Sequence, residues 1–176
     1  MELSVVSSVI QALAFVFAVA FGVLQVRQIR AQRRRDAAIA LMQSLLTRDM
    51  LEALLVLDSI PEGLSKHELE QRLGDRFINL QVLLGTWESL GILVFRGETT
   101  LDIVDDFYSG SIVHSWRKLR TLVEGVRVDT GRDTRWEWFQ WLAERMLERE
   151  SASPPVPAYV QYRDWREPDR RKSRAV

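Results

Sequence analysis

The sequence contains no cysteine and only two histidines. The first absence removes disulfides, thiolate zinc sites, iron–sulfur clusters and any cysteine nucleophile. The two histidines, His67 and His114, stand far apart, and neither has a partner at a metal-ligating spacing such as H-x3-H or H-E-x2-H. No P-loop, G-x-G-x2-G or G-x-S-x-G string occurs, so the common phosphate cradles and serine-hydrolase elbows are missing too. Alternating strands and Asn-Gly hairpin signals are also lacking, which points to an all-α chain. Net charge is absent as a sum: 24 Lys+Arg balance 24 Asp+Glu over 176 residues. That balance argues against a nucleic-acid binder only if the charges are evenly spread.

They are not. Residues 1–26 carry a single charge, Glu2, and residues 27–35 carry five arginines and no acid. Residues 36–150 hold 20 acids against 13 bases, and residues 151–176 hold six bases against three acids. Leu3–Val26 therefore runs without a charge. As a helix it is about 36 Å long at about 1.5 Å per residue, enough to cross a hydrocarbon core of about 30 Å with some tilt. A buried core helix is disfavoured because the segment is apolar on all faces and ends in an arginine block. A cleaved signal peptide is disfavoured because the positive charge follows the apolar run, although Ala18-Val19-Ala20 resembles a cleavage pattern. Arginines beside a span stay cytoplasmic, which places the N-terminus outside and residues 27–176 inside, at the cytoplasmic membrane. Within the span Ala14, Ala18 and Gly22 recur every four residues, a face on which two copies can pack closely, though Ala-rich spans also produce it by chance.

The expected organisation is a transmembrane anchor (1–26), a basic juxtamembrane collar (27–35), a cytoplasmic helical bundle (36–150) and a disordered basic tail (151–176). The collar, Arg27, Arg30, Arg33, Arg34 and Arg35, suits anionic lipid headgroups, and beside a span that outweighs a nucleic-acid reading. Ala37–Ile60 reads as the first core helix, stopped by Pro61 and Gly63. Ser65 and Glu68 form a capping box for a short helix closed by Gly74. Phe77–Phe95 reads as a helix with Leu80, Leu83, Leu84, Trp87, Leu90 and Leu93 inward. Thr99 or Thr100 caps the next helix, with Ser109-Gly110 expected to kink it. Trp136–Glu150 reads as the last.

Few residues suggest chemistry. Asp102, Asp105 and Asp106 open a helix, where the macrodipole favours negative charge without any metal. His67 is expected in solvent and His114 buried and hydrogen-bonded. Glu88 is the best buried polar candidate, facing an arginine or a backbone group. On the last helix one face should be core, while Trp138 and Trp141 form the other and suit a partner surface, since Trp is enriched at interaction hot spots. Leu64–Glu98 also has the outline of a winged helix, but its second helix is too apolar to lie in a DNA groove.

The string N-x7-W-E-x2-G-I-x4-G-x3-L-D (Asn79, Trp87, Glu88, Gly91, Ile92, Gly97, Leu101, Asp102), behind an apolar helix and arginine collar, resembles the bacterial membrane-anchored family called domain of unknown function 4760. Trp116, Arg127 with Gly131, and the run Trp136 to Ala143 extend the resemblance over residues 10–147. Trp87 stands where Tyr is more usual. The resemblance implies a small membrane-anchored helical protein and no reaction. The expected function is a non-enzymatic interaction or scaffold module with no cofactor or metal. It would work at the cytoplasmic membrane face through an unknown protein partner or a homodimer. The alternatives are a small membrane enzyme using Glu88, His114 and Asp102, or a membrane-tethered winged-helix regulator.

Overall fold

The computed structural model of the chain describes residues 15, 17, 19–29, 32, 36, 43 and 47–166. Among these the regular elements are all helical, with no strand: α1 (Val19–Ile29), α2 (Arg48–Asp58), α3 (Lys66–Leu73), α4 (Phe77–Phe95), α5 (Leu101–Thr130), α6 (Glu137–Ala152) and α7 (Ala158–Gln161). A 3-10 turn, Gly74–Arg76, joins α3 to α4. The protein is all-α. Ala14, Ala18, Arg30, Arg33, Arg34 and Arg35 lie outside the described residues, whereas Gly22 and Arg27 fall on α1, Gly22 half-buried and Arg27 exposed.

The helix ends follow local chemistry. Thr47 is extended (φ −91°, ψ 157°) and its hydroxyl accepts the Met50 N–H at 3.2 Å, so α2 begins at Arg48. One continuous helix from Ala37 to Ile60 is therefore corrected: a capping threonine with extended backbone starts a new helix inside that stretch. Ser65 and Glu68 close the expected capping box, with the Ser65 N–H donating to Glu68 at 2.8 Å. The Ser65 hydroxyl, and after it this backbone contact, hold the Glu68 carboxyl below its ordinary pKa. Thr100, not Thr99, caps α5 by accepting the Ile103 N–H. The expected kink at Ser109-Gly110 is absent and α5 runs unbroken over 30 residues. Gly110 faces outward, and a lone outward glycine lowers helix propensity without breaking the ladder.

The bundle is built around α4, which packs against α6 and α2, while α5 lies along α6. Leu80, Leu83, Leu84, Trp87 and Leu90 are buried as their spacing predicts. They meet Val56 and Leu57 of α2, Leu119, Leu122 and Val123 of α5, and Phe139, Leu142 and Ala143 of α6 in one core. Leu93 is the exception, at 40% exposure. The backbone place next to Leu90 is taken instead by Gly91, where α6 comes so close that a Cβ would run into the Trp138 carbonyl.

The helical run Lys66–Phe95 is long and apolar enough to cross a membrane, and a third of its most apolar window is buried inside the protein. Its packing between α2 and α6 makes it the central helix of the bundle. Because Gly91 to Phe95 is helical, the strand and wing of a winged helix do not form, and that alternative is overturned. The segment after α6, expected to be irregular, contains the four-residue α7, whose side chains are all exposed.

Two glycines of α4 should respond oppositely to alanine. Gly85 faces open space, so Gly85→Ala should stabilise the chain by roughly 0.5–1 kcal/mol through helix propensity. Gly91→Ala should cost about 1–3 kcal/mol by forcing α6 away. Thermal unfolding of both variants in the same detergent checks the signs.

Candidate functional site

The family-like motif of the sequence is where the helices are joined. The Trp87 indole N–H donates to the Ser115 hydroxyl at 3.0 Å, and Ser115 in turn donates to the Ser111 carbonyl at 2.7 Å. A fully buried tryptophan and a fully buried serine thus satisfy each other and tie α4 to α5. One residue on, the Glu88 carboxylate accepts the Phe139 N–H at 2.8 Å, with the Trp138 N–H also turned toward it. These are the second and third residues of α6, whose own N-cap residue, Trp136, offers no side-chain acceptor. Glu88 therefore does for α6, across the bundle, what an N-cap Asp or Ser does within a helix. Trp136 is the only non-glycine with positive φ among the described residues (φ 52°, ψ 38°). Its buried ring is covered by the Arg135 guanidinium, 4.6 Å from the ring centre.

Gly97 and Asp102 complete the motif. Gly97 is left-handed (φ 73°) and its N–H donates to the Val94 carbonyl, while the Glu98 N–H donates to Leu93. This is a Schellman end to α4, which favours glycine at that place. Asp102 pairs with Arg149 at 2.7 Å, and the same guanidinium reaches Asp105 at 3.2 Å, so the acidic opening of α5 is matched by a cation in the last turn of α6. Asn79 lies half-buried on the first turn of α4. Arg127 donates to the Arg135 carbonyl at 2.8 Å and to the Gln140 side chain, bracing the turn that contains Gly131.

His114 is corrected from buried to half-exposed: its side chain is 43% accessible and its Nε2 lies 3.0 Å from the Asp58 carboxylate. The reason is that α5 turns position 114 to the rim of the core, beside the end of α2. His67 is exposed, 2.9 Å from Gln71 Nε2. Sequence reading gave no role to Lys118, yet its ammonium donates to the carbonyls of Leu57, Asp58 and Ile60 at 3.0, 3.2 and 2.7 Å. Three donors on a compact charge fit three converging carbonyls better than a planar guanidinium does. The one available signal was rarity: only three of the 24 bases are lysine.

The residues weighed for catalysis are thus held apart by separate partners: Glu88 by Phe139, His114 by Asp58, Asp102 by Arg149. Among the described residues no group of three or more His, Asp or Glu is placed to hold a metal ion. What the surface does carry is aromatic. Phe95, 61% exposed, lies tilted against Trp138 with ring centres 4.6 Å apart and 6.1 Å from Trp141, and the two indoles stand 6.2 Å apart edge to face. Trp138 and Trp141 are half-buried, while Leu142 turns inward with Phe139 and Met146. The two indoles, with Arg127, Asp133, Glu137, Gln140 and Glu144, line an open cleft of about 350 Å³.

The family described as Domain of unknown function (DUF4760) matches residues 5–146. No curated protein and no solved structure matches the chain.

Burial raises the Glu88 carboxyl above its ordinary pKa of 4.5, against the opposing pull of the Phe139 and Trp138 N–H groups and Arg127. A carboxyl raised in the folded state binds more protons folded than unfolded. Its contribution to stability therefore grows as pH falls from the raised value toward 4.5, and wild type should gain on Glu88→Gln over that window. Glu88→Ala, which leaves two N–H groups of α6 without this acceptor, should cost about 1–3 kcal/mol near neutral pH, and Glu88→Gln less. Unfolding curves of the three chains across pH test both points.

Proposed function

Since the chain belongs to the family described as Domain of unknown function (DUF4760), we propose that it is a single-pass, membrane-anchored, non-enzymatic interaction module that docks a protein partner at the cytoplasmic membrane face. The observation that carries the reading is the surface cluster in which exposed Phe95 meets the half-buried rings of Trp138 and Trp141. Large aromatic rings standing together at a surface are costly unless something covers them, and such clusters mark interaction sites. The conspicuous polar residues support it from the other side. Glu88, Lys118, Asp102 and Arg149 are engaged in joining helix ends, which is a scaffold's use of charge.

Support for the anchor comes from α1 and its charge flank. Phe15, Phe17 and Phe21 are 71%, 73% and 65% exposed, so these rings find no protein cover and a lipid environment would bury them. The collar that begins at Arg27 sets the orientation, N-terminus outside and bundle inside, and meets anionic headgroups. Gly22 presents an open face on α1, which suits close pairing with a second copy.

Absence of cysteine makes topology directly testable. With Ser4→Cys or Ser153→Cys as the sole thiol, a membrane-impermeant maleimide should label Cys at 4 in intact cells and Cys at 153 only after permeabilisation. The reverse pattern would invert the orientation. For docking, Trp138→Ser with Trp141→Ser should lose whatever protein co-purifies with wild type in mild detergent, while circular dichroism shows the helical bundle still folded at the temperature of capture. Retention of the same partner by the double variant would remove this surface from the reading.

A further inference from the structure

We propose that the cleft of Trp138 and Trp141 is the docking place of this chain's own basic C-terminal segment, Arg170–Arg174. The inference rests on the reading of this surface as the partner site, and gives that site a built-in competitor. The cleft is acidic as well as aromatic: Asp133, Glu137 and Glu144 line it beside the two indoles. Its one base, Arg127, donates to the Arg135 carbonyl and the Gln140 side chain, and three carboxylates against this one guanidinium leave the lining acidic. An indole face next to carboxylates suits a guanidinium or ammonium, held by ring quadrupole and charge together. The pairing occurs at the rim of the cleft itself, where Arg145 lies 5.9 Å from the centre of the Trp141 ring.

The sequence after residue 166 supplies the complement. Arg170, Arg171, Lys172 and Arg174 fall within five residues, the densest basic run outside the collar. The route back is open. From Ala152, at the end of α6, to Trp138 is about 21 Å along the helix at about 1.5 Å per residue. Residues 153–166 bury no side chain against the bundle, so little packing is lost if they turn toward the start of α6. A tethered segment also competes at an effective concentration in the millimolar range, on the order that short flexible linkers give. Docked there, it would cover the indoles and the carboxylates until a partner, or an anionic membrane, draws it off.

The cysteine-free full chain allows a crosslinking test in neutral-lipid nanodiscs. Ser173→Cys is combined with Thr134→Cys, beside Asp133 at the cleft, or with Ser59→Cys after α2 as reference, and a short bismaleimide is added. Intramolecular crosslinking of the 134–173 pair should be several-fold faster than that of the 59–173 pair. The preference should vanish with Asp133→Asn, Glu137→Gln and Glu144→Gln together, and with serine at Arg170, Arg171, Lys172 and Arg174. Equal rates, a preference that survives both neutralisations, or a product found as crosslinked dimers would each overturn the assignment. Partner capture is read separately through Trp138→Ser with Trp141→Ser. Failure of the crosslink while the double variant still loses the partner removes only the tail from the cleft; failure of the crosslink with the partner retained by the double variant removes the surface as well.

Discussion

A single carboxylate holds the second half of the bundle in place. Helix α6 starts after a tryptophan in left-handed conformation that offers no capping side chain, and so its first N–H groups need an acceptor from elsewhere. Glu88 supplies it from the middle of α4. One turn further along the same face Gly91 removes the side chain that would otherwise keep α6 away, letting the Trp138 backbone rest on α4. The two contacts depend on each other: the carboxylate reaches the N–H groups only at a separation that glycine permits. The cost is a partly desolvated charge, visible as the raised pKa of Glu88, and the macrodipole of α6 offsets part of it. From this joint follow the inward turn of Phe139 and Leu142, the T-shaped contact of Phe139 with Trp116 at 5.3 Å, and the placing of Trp138 and Trp141 against Phe95.

The opposite helix end is treated by the same logic with the sign reversed. The end of α2 exposes carbonyls, and Lys118 of α5 gathers three of them. An anion at a helix start and a cation at a helix end, each delivered from a distant part of the chain, fix the relative positions of α2, α4, α5 and α6. Apolar packing alone would bring these helices together at many offsets. Directional bonds to helix termini select one, which explains why charged residues recur at the seams of an otherwise leucine-rich core.

This division sets what could be read from the sequence. Period and composition located α3 through α6, because runs of leucine at 3–4 spacing and capping boxes are local signals; Ser65–Glu68 and Gly97 act as local patterns suggest. The W-E-x2-G string drew attention to the right residues, and Glu88 was expected to face an arginine or a backbone group. Nothing local could say that the group belonged to Phe139, 51 residues away. Lys118 was passed over and His114, hydrogen-bonded as expected, was placed too deep for the same reason, since their surroundings are made by the end of α2. Thr47 was passed over because its neighbours are good helix formers, and its extended backbone outweighs their propensity. Leu93 follows the heptad-like spacing but falls at the end of α4, where α6 has already begun and the backbone of Gly91 has taken the contact.

The aromatic surface is a consequence of the joint rather than an addition to it. With Phe139, Leu142 and Ala143 fixed inward by the anchored start of α6, the helical repeat places Trp138 and Trp141 at the margin, half-buried, with Trp141 packed against the edge of the core. Moving them inward would need a rotation of α6 that breaks the Glu88 contact. The bundle therefore cannot hide these rings by small adjustments, and Phe95 offers them only partial cover because its own helix ends there at Gly97. The carboxylates of Asp133, Glu137 and Glu144 stand beside the indoles, so what the joint leaves at the margin is a surface both aromatic and acidic.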